Sequence, residues 1–440
     1  MMQVSIQPGK VAGTVTANAS KSAMQRACAA ALLRQGLTYI HNPGNSNDDQ
    51  AALDIIQKLG ATITPQPDGS LLITGTGHHI MLQEAENSIH CGESGLSIRM
   101  FTPIAALSQQ PVTITGHGSL TTRPMDFFVD ILPQLGVSVQ SNDGKLPLRI
   151  QGPLTPKDIV VDGSLSSQFL TGLLMAYAAL PSHTCTIQVQ NLKSKPYIDL
   201  TLQLIEKFGL RVPENRNYEA FVFAQPAVTV AEAPLDYTIE GDWSGAAFLL
   251  VAAAIAGNIN LLEVFNTSRQ ADKRIIDALL DAGAEVKVLA NSVQVSKQKL
   301  ESFVFDATDC PDLFPPLVAL AAHCHGVTTI RGLRRLKHKE SDRGQTLQEE
   351  FDKLGVRIDL NDDTMLVHGT GQVRVQNFTL NSHHDHRIAM AVAVAALQAD
   401  FGVTIRNADA VNKSYPDFWK HLEALGVQVQ TKQAAITSAS

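Results

Sequence analysis

Aromatic and charged residues are both scarce in this 440-residue sequence, and it contains no long apolar run. Phe, Trp and Tyr make up 5% of the chain, and Asp, Glu, Lys and Arg make up 18%, so aliphatic side chains must form most of the core. The longest apolar stretches, such as residues 246–256, are shorter than the ~20 residues that a membrane-spanning helix needs. The N-terminus also lacks the features of a signal or transit peptide. We therefore expect a cytoplasmic protein that has no membrane partner.

A basic surplus and paired cysteines are absent as well. The net charge is −7 at pH 7, whereas a protein that binds nucleic acid usually carries excess Lys and Arg to neutralise phosphates. We therefore expect no nucleic-acid partner, although a small anionic ligand needs only a local group of cations. The five cysteines are far apart and form no C-x-x-C pair, which is typical of reduced thiols. They are Cys28, Cys91, Cys185, Cys310 and Cys324.

One sequence pattern occurs six times. In each copy, an amphipathic helical segment ends in glycine and is followed by a segment in which apolar and polar residues alternate. The glycines recur every 71 to 76 residues, at Gly60, Gly136, Gly209, Gly283, Gly355 and Gly426. Glycine just past the last turn of a helix adopts the left-handed conformation at low cost. The spacing therefore predicts six copies of one α/β unit.

Each unit also has a second helical segment that is apolar on every side and is therefore expected to be buried. These segments cover residues 24–33, 98–107, 169–180, 246–255, 313–322 and 388–397. We predict an α/β fold of two domains with three repeated units each and pseudo-threefold symmetry. The helices would lie inside and the sheets outside, as an inside-out α/β barrel. The predicted domains are residues 20–239, and residues 240–440 together with 1–19.

Basic residues are concentrated in the loops that precede helices. They are Lys21, Arg26, Arg99, Arg123, Lys195, Lys273, Arg274, Lys337, Lys339, Arg343, Arg387 and Lys413. The N-terminus of a helix attracts negative charge, so cations placed there favour anion binding. In an acidic protein, this arrangement predicts a small ligand with two phosphates, or with a phosphate and a carboxylate.

The same loops carry a set of short motifs. They are Ser20-Lys21-Ser22 with Arg26, Gly92-x-x-Gly95-x-x-x-Arg99, Arg123-Pro124, Asp162-Gly163-Ser164-x-Ser166-Ser167-Gln168-Phe169, Ser194-Lys195-Pro196-Tyr197-x-Asp199, Lys339-Glu340-Ser341-Asp342-Arg343, Asp385-His386-Arg387 and Lys413-x-x-Pro416-Asp417. Each motif alone is weak, but together they are specific. Over nearly the whole chain, they resemble the enolpyruvyl transferases and, within them, the EPSP synthase family.

The resemblance implies two domains that close on the substrates, and a reaction of the shikimate pathway of aromatic amino acid biosynthesis. The enolpyruvyl group of phosphoenolpyruvate would pass to the 5-hydroxyl of shikimate 3-phosphate, with release of phosphate, through a tetrahedral addition–elimination intermediate. The implied ligands of shikimate 3-phosphate are Lys21, Ser22, Arg26, Ser166, Ser167, Ser194, Tyr197, Asp312 and Lys339. The implied ligands of phosphoenolpyruvate are Lys21, Gly95, Arg123, Gln168, Arg343, Arg387 and Lys413. No cofactor is implied, and we expect a monomer.

The residue types suit this chemistry. Arg forks and Lys charges bind phosphate and carboxylate groups well. Protonation of the phosphoenolpyruvate methylene while the 5-hydroxyl attacks C2 requires an acid and a base on opposite sides of one carbon. The expected catalytic residues are Lys21, Asp312, Glu340 and His386. The sequence alone does not decide which group donates the proton and which accepts it.

Five residues at four places depart from the family pattern. Asn18-Ala19 stands where Pro-Gly is usual, Glu93 where a neutral amide is common, Leu96 where threonine is frequent, and Arg335 where asparagine is frequent. The Glu93 carboxylate either repels an incoming anion or pairs with a neighbouring cation, and we favour the pairing. The effect of these positions on phosphoenolpyruvate affinity and glyphosate sensitivity is open.

Metal binding is not predicted, although histidines are clustered in two places. The groups are His383-His384-x-His386 and His323-x-His325. Neither has the spacing of histidine and carboxylate ligands found in zinc sites. The sequence therefore predicts no metal site.

Three other functions compete with this one. The sister enzyme that transfers enolpyruvyl to a UDP-linked amino sugar typically has a reactive cysteine before the Arg-Pro motif, whereas residues 116–122 contain none. A non-catalytic binding protein would have no reason to keep Asp312 and Glu340 together with the phosphate ligands. An RNA-end-processing relative is disfavoured by the acidic net charge.

Overall fold

The computed structural model describes residues 2–82, 87–180, 184–224 and 233–433. Its helices are α1 (Lys21–Leu33), α2 (Asn47–Lys58), α3 (Gly95–Ala105), α4 (Asp126–Ile131), α5 (Ser167–Ala179), α6 (Lys195–Lys207), α7 (Trp243–Ala256), α8 (Ile275–Asp281), α9 (Phe314–Ala322), α10 (Arg343–Lys353), α11 (His386–Ala396) and α12 (Phe418–Ala424). Its strands are β1 (Met2–Ile6), β2 (Val11–Thr16), β3 (Gln35–His41), β4 (Thr62–Pro65), β5 (Leu71–Thr76), β6 (Ser88–His90), β7 (Pro111–Thr115), β8 (Ser138–Asn142), β9 (Lys145–Gln151), β10 (Ile159–Asp162), β11 (Cys185–Gln190), β12 (Glu214–Arg216), β13 (Ala220–Phe223), β14 (Leu235–Thr238), β15 (Gly257–Leu262), β16 (Glu285–Val288), β17 (Ser292–Ser296), β18 (Val304–Asp306), β19 (His325–Arg331), β20 (Arg357–Asn361), β21 (Thr364–Thr370), β22 (Thr379–Asn381), β23 (Val403–Arg406) and β24 (Val429–Gln433). The fold is therefore mixed α/β.

Internal contacts divide the chain into two compact units. Unit N is Ala19–Ile239, and unit C is Met1–Asn18 together with Glu240–Ser440. The N-terminal segment belongs to unit C because its two strands complete sheets there. β1 pairs antiparallel with β23, with Val4 opposite Ile405. β2 pairs parallel with β15, with Gly13 opposite Ile259.

The described strands form six four-stranded sheets with one shared pattern. In each sheet an edge strand runs parallel to its neighbour, and the next two pairings are antiparallel. Unit N holds the sheets β14-β3-β5-β4, β6-β7-β9-β8 and β10-β11-β13-β12. Unit C holds β2-β15-β17-β16, β18-β19-β21-β20 and β22-β23-β1-β24. The sixfold pattern of the sequence is thus repeated in the strand pairing.

Each unit has three buried helices that contact one another. They are α1, α3 and α5 in unit N, and α7, α9 and α11 in unit C. All residues of α7 are buried, which agrees with its apolar composition on every side. Across the described part of the chain, no helix is both long and apolar enough to span a membrane.

Polar side chains determine where most of these helices start. The Ser or Asp before the first turn accepts a hydrogen bond from a backbone N–H and so satisfies a donor that the helix leaves unpaired. These N-caps are Ser20, Ser94, Ser166, Asp242 and Asp385. Helix α9 differs, because it follows a 3-10 turn at Pro311–Leu313 and has no side-chain cap.

The six repeated glycines all have positive φ angles. The values are 112° for Gly60, 82° for Gly136, 70° for Gly209, 88° for Gly283, 71° for Gly355 and 96° for Gly426. A residue with a Cβ atom would be strained in this conformation. The predicted conformation of the repeated glycine is therefore confirmed at all six positions.

Candidate active site

Arg343 is the centre of an ion-pair cluster in unit C. It is the first residue of α10, after the N-cap Asp342, and its side chain is almost fully buried. Its Nε and Nη2 atoms donate to the two carboxylate oxygens of Asp385, at 2.8 and 3.2 Å. Its Nη1 donates to Asp312 at 2.8 Å, and Nη2 also donates to Glu340 at 2.6 Å. One guanidinium thus joins three carboxylates that come from separate parts of the sequence.

Asp312 links Arg343 to two more cations. Its Oδ1 accepts a hydrogen bond from Lys339 Nζ at 3.1 Å, and its Oδ2 accepts one from Arg387 Nη2 at 3.2 Å. Arg387 is the second residue of α11, and Lys339 lies in the loop before α10. The structure therefore brings together the predicted ligands Asp312, Lys339, Arg343 and Arg387.

Glu340 extends the cluster to Lys413. Its Oε2 contacts Arg343, and its Oε1 lies 3.5 Å from Lys413 Nζ. His386 is also buried here, with Nδ1 3.7 Å from Asp385 Oδ1. Every unit C residue that the sequence predicted for catalysis or binding lies in or beside this one cluster.

The charges of the cluster perturb several pKa values. Burial alone would raise the pKa of Asp312, but Arg387, Lys339 and Arg343 hold that pKa well below its ordinary range. Burial alone would lower the pKa of Arg343, but the carboxylates of Asp385, Glu340 and Asp312 raise it above the ordinary value. Burial lowers the pKa of Lys339 despite the nearby Asp312 carboxylate. Four cations, Arg343, Lys339, Arg387 and Lys413, meet at Asp312 and Glu340, and such a concentration of positive charge favours an anionic ligand.

In unit N, two guanidinium groups lie against Gly95. A Cβ atom at Gly95 would be 2.5 Å from Arg123 Nη1 and 3.4 Å from Arg99 Nη1, so the arginines use space that only glycine leaves open. Gly95 is the first residue of α3. Arg99 Nη1 donates to Gln168 Oε1 at 2.9 Å, and Arg123 Nη2 donates to Ser119 Oγ at 3.4 Å. Two arginines beside a helix N-terminus form an arrangement that binds anions.

Arg26 lies in a second polar group in unit N. Its Nε donates to Thr201 Oγ1 at 2.9 Å, its Nη1 donates to the Ser22 carbonyl at 2.8 Å, and its Cζ is 5.7 Å from the centre of the Tyr197 ring. Burial lowers the pKa of Arg26 to about 10, which still leaves it charged at neutral pH. The structure thus joins the start of α1, which carries Ser22 and Arg26, to the start of α6, which carries Tyr197.

The remaining predicted residues lie at helix starts in unit N. Lys21 opens α1, and its Nζ is 2.9 Å from Asp48 Oδ2. Ser166 caps α5 by accepting a hydrogen bond from the Gln168 N–H, and Ser167 opens that helix. Ser194 precedes α6.

Several neighbours of the site were not predicted from the sequence. Asp48 pairs with Lys21, Thr201 holds Arg26, and Asp385 holds Arg343. Arg99 belongs to the Gly92-x-x-Gly95-x-x-x-Arg99 motif, but the resemblance implied no ligand role for it. Asp385 is part of the Asp385-His386-Arg387 motif, but an aspartate before a helix is already explained as an N-cap, so the motif did not indicate its ion pair with Arg343. The other partners are far away in sequence, and no local pattern identifies them.

One group of side chains has the geometry to hold a metal ion. Ligand atoms of Glu349, Glu350 and His383 lie within 4.8 Å of one another. The ammonium of Lys353, however, is 2.7 Å from Glu350 Oε1, so a cation already neutralises the buried carboxylate. His383 Nε2 lies 2.7 Å from the same oxygen. These contacts account for the group as an ion-pair network.

Two of the unusual positions lie close to predicted ligands. The Glu93 carboxylate packs directly on Gly118, where a Cβ atom would overlap Glu93 Oε1. Gly118 opens the 3-10 turn Gly118–Thr122 that leads to Arg123. Arg335 is half-buried, and the charges of Asp309 and Asp312 act on it.

Comparison with known proteins identifies the family to which the chain belongs. The family model of EPSP synthase (3-phosphoshikimate 1-carboxyvinyltransferase) matches residues 6–422. The chain belongs to the EPSP synthase family. The 3-phosphoshikimate 1-carboxyvinyltransferase of Clostridium kluyveri is 36% identical over 429 residues, covering 98% of each chain. That of Clostridium novyi is 35% identical over 434 residues, covering 97% of this chain and 98% of the relative. The family and enzyme class predicted from the motifs are confirmed.

Solved structures support the same fold. The EPSP synthase of Acinetobacter baumannii superposes with a TM-score of 0.80 at 24% identity and covers 98% of this chain and 100% of its own. The enolpyruvyl transferase NikO of Streptomyces tendae gives a TM-score of 0.75 at 18% identity, covering 98% of this chain and 99% of its own. At these identities, the superpositions support the fold and nothing more specific.

Proposed function

We propose that this protein transfers the enolpyruvyl group of phosphoenolpyruvate to the 5-hydroxyl of shikimate 3-phosphate and releases phosphate. The observation that carries the proposal is the Arg343 cluster, in which Arg343, Lys339, Arg387 and Lys413 surround Asp312 and Glu340. Such a group combines cations for an anionic substrate with carboxylates that can move protons. Membership of the EPSP synthase family supports the same reaction.

The proposal assigns phosphoenolpyruvate to the predicted cations. Its carboxylate and phosphate would be bound by Arg343, Arg387, Lys413, Lys21 and Arg123, with Gly95 and Gln168 as further ligands. An arginine guanidinium can donate two parallel hydrogen bonds to two oxygens of a carboxylate or phosphate, and a lysine ammonium contributes a compact positive charge. The bound anion would take over contacts that the cations now make with Asp312 and Glu340.

Shikimate 3-phosphate is assigned to the serines and to Arg26. Ser166, Ser167 and Ser194 lie beside helix N-termini, where backbone N–H groups favour a phosphate. Ser22, Arg26 and Tyr197 lie together at the start of α1 and α6. Lys21, Lys339 and Asp312 complete the set.

The reaction needs one proton delivered to the phosphoenolpyruvate methylene and one removed from the 5-hydroxyl. We assign Asp312 as the base for the hydroxyl, because the same residue is a proposed ligand of the acceptor that carries this hydroxyl. Glu340, with Lys413 beside it, exchanges the proton at the methylene carbon. The oxygen attacks C2 to form the tetrahedral intermediate. Glu340 then takes a proton back from the new methyl group while the C2–O bond to phosphate breaks. The double bond is restored, phosphate leaves with the electrons of the broken bond, and the proton on Asp312 passes to solvent. Lys21 and His386 stabilise charge or relay protons during these steps.

Phosphate release tests the function directly. The protein is mixed with phosphoenolpyruvate and either shikimate 3-phosphate or a UDP-linked amino sugar, and free phosphate is measured with time. We expect release with shikimate 3-phosphate and none with the UDP-sugar. Release only with the UDP-sugar would assign the chain to the sister activity, and absence of release with both would contradict enzymatic transfer. Solvent deuterium exchange into phosphoenolpyruvate by Asp312→Asn and Glu340→Gln then tests the assignment of acid and base.

We also propose that the two units are domains in which sheets surround the three buried helices with pseudo-threefold symmetry. The repeated sheet pattern and the mutual contacts of the buried helices support this arrangement. Hydrogen exchange tests it, because the amides of α1, α3, α5, α7, α9 and α11 should exchange most slowly. Slower exchange in the sheets than in these helices would contradict it.

A monomer in the cytoplasm remains our prediction. All five cysteines are buried thiols, which agrees with a reducing compartment. Light scattering should give a mass near 47.4 kDa, and cell fractionation should recover the protein with cytoplasmic markers. A stable dimer or recovery in another compartment would contradict the respective prediction.

A further inference from the structure

The first turn of α6 is held by a tyrosine from a neighbouring hairpin. Strands β12 and β13 are joined by a turn that contains Tyr218. The hydroxyl of Tyr218 donates to the Asp199 carboxylate, with its oxygen 2.8 Å from Oδ1 and 2.9 Å from Oδ2. Asp199 is the fifth residue of α6. A hydrogen bond to an ionised carboxylate is stronger than one between neutral groups.

The same tyrosine lies under the ammonium of Lys195. Lys195 Nζ is 5.3 Å from the centre of the Tyr218 ring, which is within the range of a cation–π interaction. Lys195 is the first residue of α6 and follows Ser194 directly. Tyr218 therefore contacts this helix twice, through its hydroxyl at Asp199 and through its ring at Lys195.

Both sides of this contact have unfavourable backbone conformations. Ser194 has φ 57° and Tyr218 has φ 61°, and the preceding Asn217 has φ 53°. The left-handed region costs a residue with a side chain about 1–2 kcal/mol, and it is rare for a bulky residue such as tyrosine. Such conformations persist only where surrounding contacts hold them, and they are frequent at binding sites. The hydrogen bond to Asp199 and the Asn215 side chain, which accepts from the Tyr218 N–H at 2.8 Å, supply such contacts.

The opposite side of the turn contacts Arg26. The Tyr197 ring lies beside the Arg26 guanidinium, and the Thr201 hydroxyl both accepts from Arg26 Nε and donates to the Tyr197 carbonyl at 2.8 Å. The first two turns of α6 thus lie between Arg26 and Tyr218. A shift of this segment would move Ser194, Tyr197 and Arg26, which are three proposed ligands of one substrate.

We infer that Tyr218 and Asp199 are positioning residues for the acceptor, and that Lys195 is a further cation for its phosphate. This inference rests on the proposed function, because it uses Ser194 and Tyr197 as ligands of shikimate 3-phosphate. The Tyr218–Asp199 hydrogen bond fixes the start of α6, and the Tyr218 ring holds the ammonium of Lys195, the residue that follows Ser194. The helix N-terminus adds its own attraction for a phosphate there.

Substrate titrations separate this role from a structural one. In Tyr218→Phe, only the hydroxyl is lost and the ring under Lys195 remains. We expect the KM for shikimate 3-phosphate to rise about 5-fold, with the KM for phosphoenolpyruvate and kcat changed less than 2-fold. Asp199→Asn should have the same effect as Tyr218→Phe. The double variant Tyr218→Phe/Asp199→Asn should raise the KM for shikimate 3-phosphate no more than the more affected single variant, because both changes remove the same hydrogen bond.

Lys195 is tested in the same assay. Lys195→Gln should raise the KM for shikimate 3-phosphate about 10-fold and make it less sensitive to salt. Tyr218→Leu, which also removes the ring, should raise the KM for shikimate 3-phosphate more than Tyr218→Phe does. In the double variant with Lys195→Gln, the increase in KM should be smaller than the two single effects combined. Tyr39→Phe is the control, since Tyr39 is a half-buried tyrosine of unit N on another sheet. It should leave all constants unchanged.

The outcomes distinguish this inference from the proposed function. Equal calorimetric affinity for shikimate 3-phosphate in the wild type, Tyr218→Phe and Lys195→Gln would overturn the inference while leaving the function intact. Parallel losses for both substrates with a lowered Tm would also overturn it, because they would indicate a structural role alone. No binding of shikimate 3-phosphate to the wild type would instead contradict the function itself.

Discussion

The Arg343 guanidinium and the Asp385 carboxylate form a bidentate ion pair, at 2.8 and 3.2 Å. Both side chains are buried, with 1% and 0% of their surfaces exposed. The pair joins the first residue of α10 to the N-cap of α11, across 42 residues of sequence. The same guanidinium contacts Asp312 and Glu340, so this pair fixes the centre of the proposed phosphoenolpyruvate site.

Removal of the Asp385 charge should damage both stability and binding. Asp385→Asn keeps an N-cap for α11 but leaves the buried Arg343 without its bidentate partner. Loss of one partner of a buried ion pair costs about 3 kcal/mol or more, so thermal unfolding should occur several degrees lower. The KM for phosphoenolpyruvate should rise at least ~10-fold, because Arg343 loses its orientation.

Asp359→Asn is the matched control for this variant. Asp359 pairs with Arg357 and His368 where solvent reaches all three side chains, which are 30%, 72% and 31% exposed. Such solvent-accessible pairs contribute about 0–1 kcal/mol. The control should leave Tm and KM nearly unchanged. A Tm shift as large as that of Asp385→Asn would show that the effect is not specific to the buried pair.

Gly95→Ala should weaken phosphoenolpyruvate binding without unfolding the protein. The added methyl would lie 2.5 Å from Arg123 Nη1, so the guanidinium must move away from its present position. We expect the KM for phosphoenolpyruvate to rise about 10-fold, while the KM for shikimate 3-phosphate changes little. Gly9→Ala is the control, because its nearest neighbour outside the adjoining residues is 3.9 Å away. An unchanged KM in Gly95→Ala would show that Arg123 does not bind this substrate.

Lys21→Ala and Glu340→Ala should each lower kcat at least ~10²-fold, since both residues are assigned to proton transfer or charge stabilisation. A loss in both variants would support the assignment of both residues to the reaction. Lys299→Ala and Glu349→Ala serve as controls, because these side chains are 76% and 57% exposed. Full activity in either Lys21→Ala or Glu340→Ala would exclude that residue from catalysis.

Asp272 should make unit C less stable as the pH rises. Its Oδ2 accepts a hydrogen bond from Ser244 at 2.5 Å, and burial together with the Asp312 charge raises its pKa to about 6. The unfolded chain releases this proton near pH 4. The folded protein therefore holds a proton between pH 4 and 6 that the unfolded chain has lost, and its stability falls across this window.

Asp272→Asn tests that contribution. The variant removes the ionisation, so it should be about 2–3 kcal/mol more stable than the wild type at pH 7.5, with the difference mostly lost near pH 4.5. Thermal unfolding at a series of pH values measures it. Asp281→Asn is the control, since Asp281 is exposed at the end of α8. A stability difference that does not depend on pH would contradict the raised pKa.

The sequence was sufficient to predict the repeat, because the repeat depends on local features, whereas the proposed site residues came from motifs that resemble those of a known family. Gly60 and its five equivalents are needed for left-handed helix ends, and serines such as Ser20 and Ser166 cap helices. The ion-pair partners were not predictable in this way. Asp48 and Asp385 lie at helix starts, where an acidic residue needs no further explanation.

Contacts between side chains from distant parts of the sequence could not be predicted either. The packing of Arg123 on Gly95 depends on the approach of two loops, and the hydrogen bond from Tyr218 to Asp199 depends on a hairpin and a helix meeting. No spacing rule reports such contacts. The motif residues could therefore be named from the sequence, whereas the side chains that hold them in place required the structure.

Mass spectrometry of the acceptor after incubation with phosphoenolpyruvate tests the central claim most directly. Shikimate 3-phosphate and a UDP-linked amino sugar are supplied together with the wild-type protein, and each acceptor is analysed. We predict that shikimate 3-phosphate gains one enolpyruvyl group while one phosphate is released per product, and that the UDP-sugar is unchanged. Unmodified shikimate 3-phosphate after prolonged incubation, with or without modification of the UDP-sugar, would contradict the account.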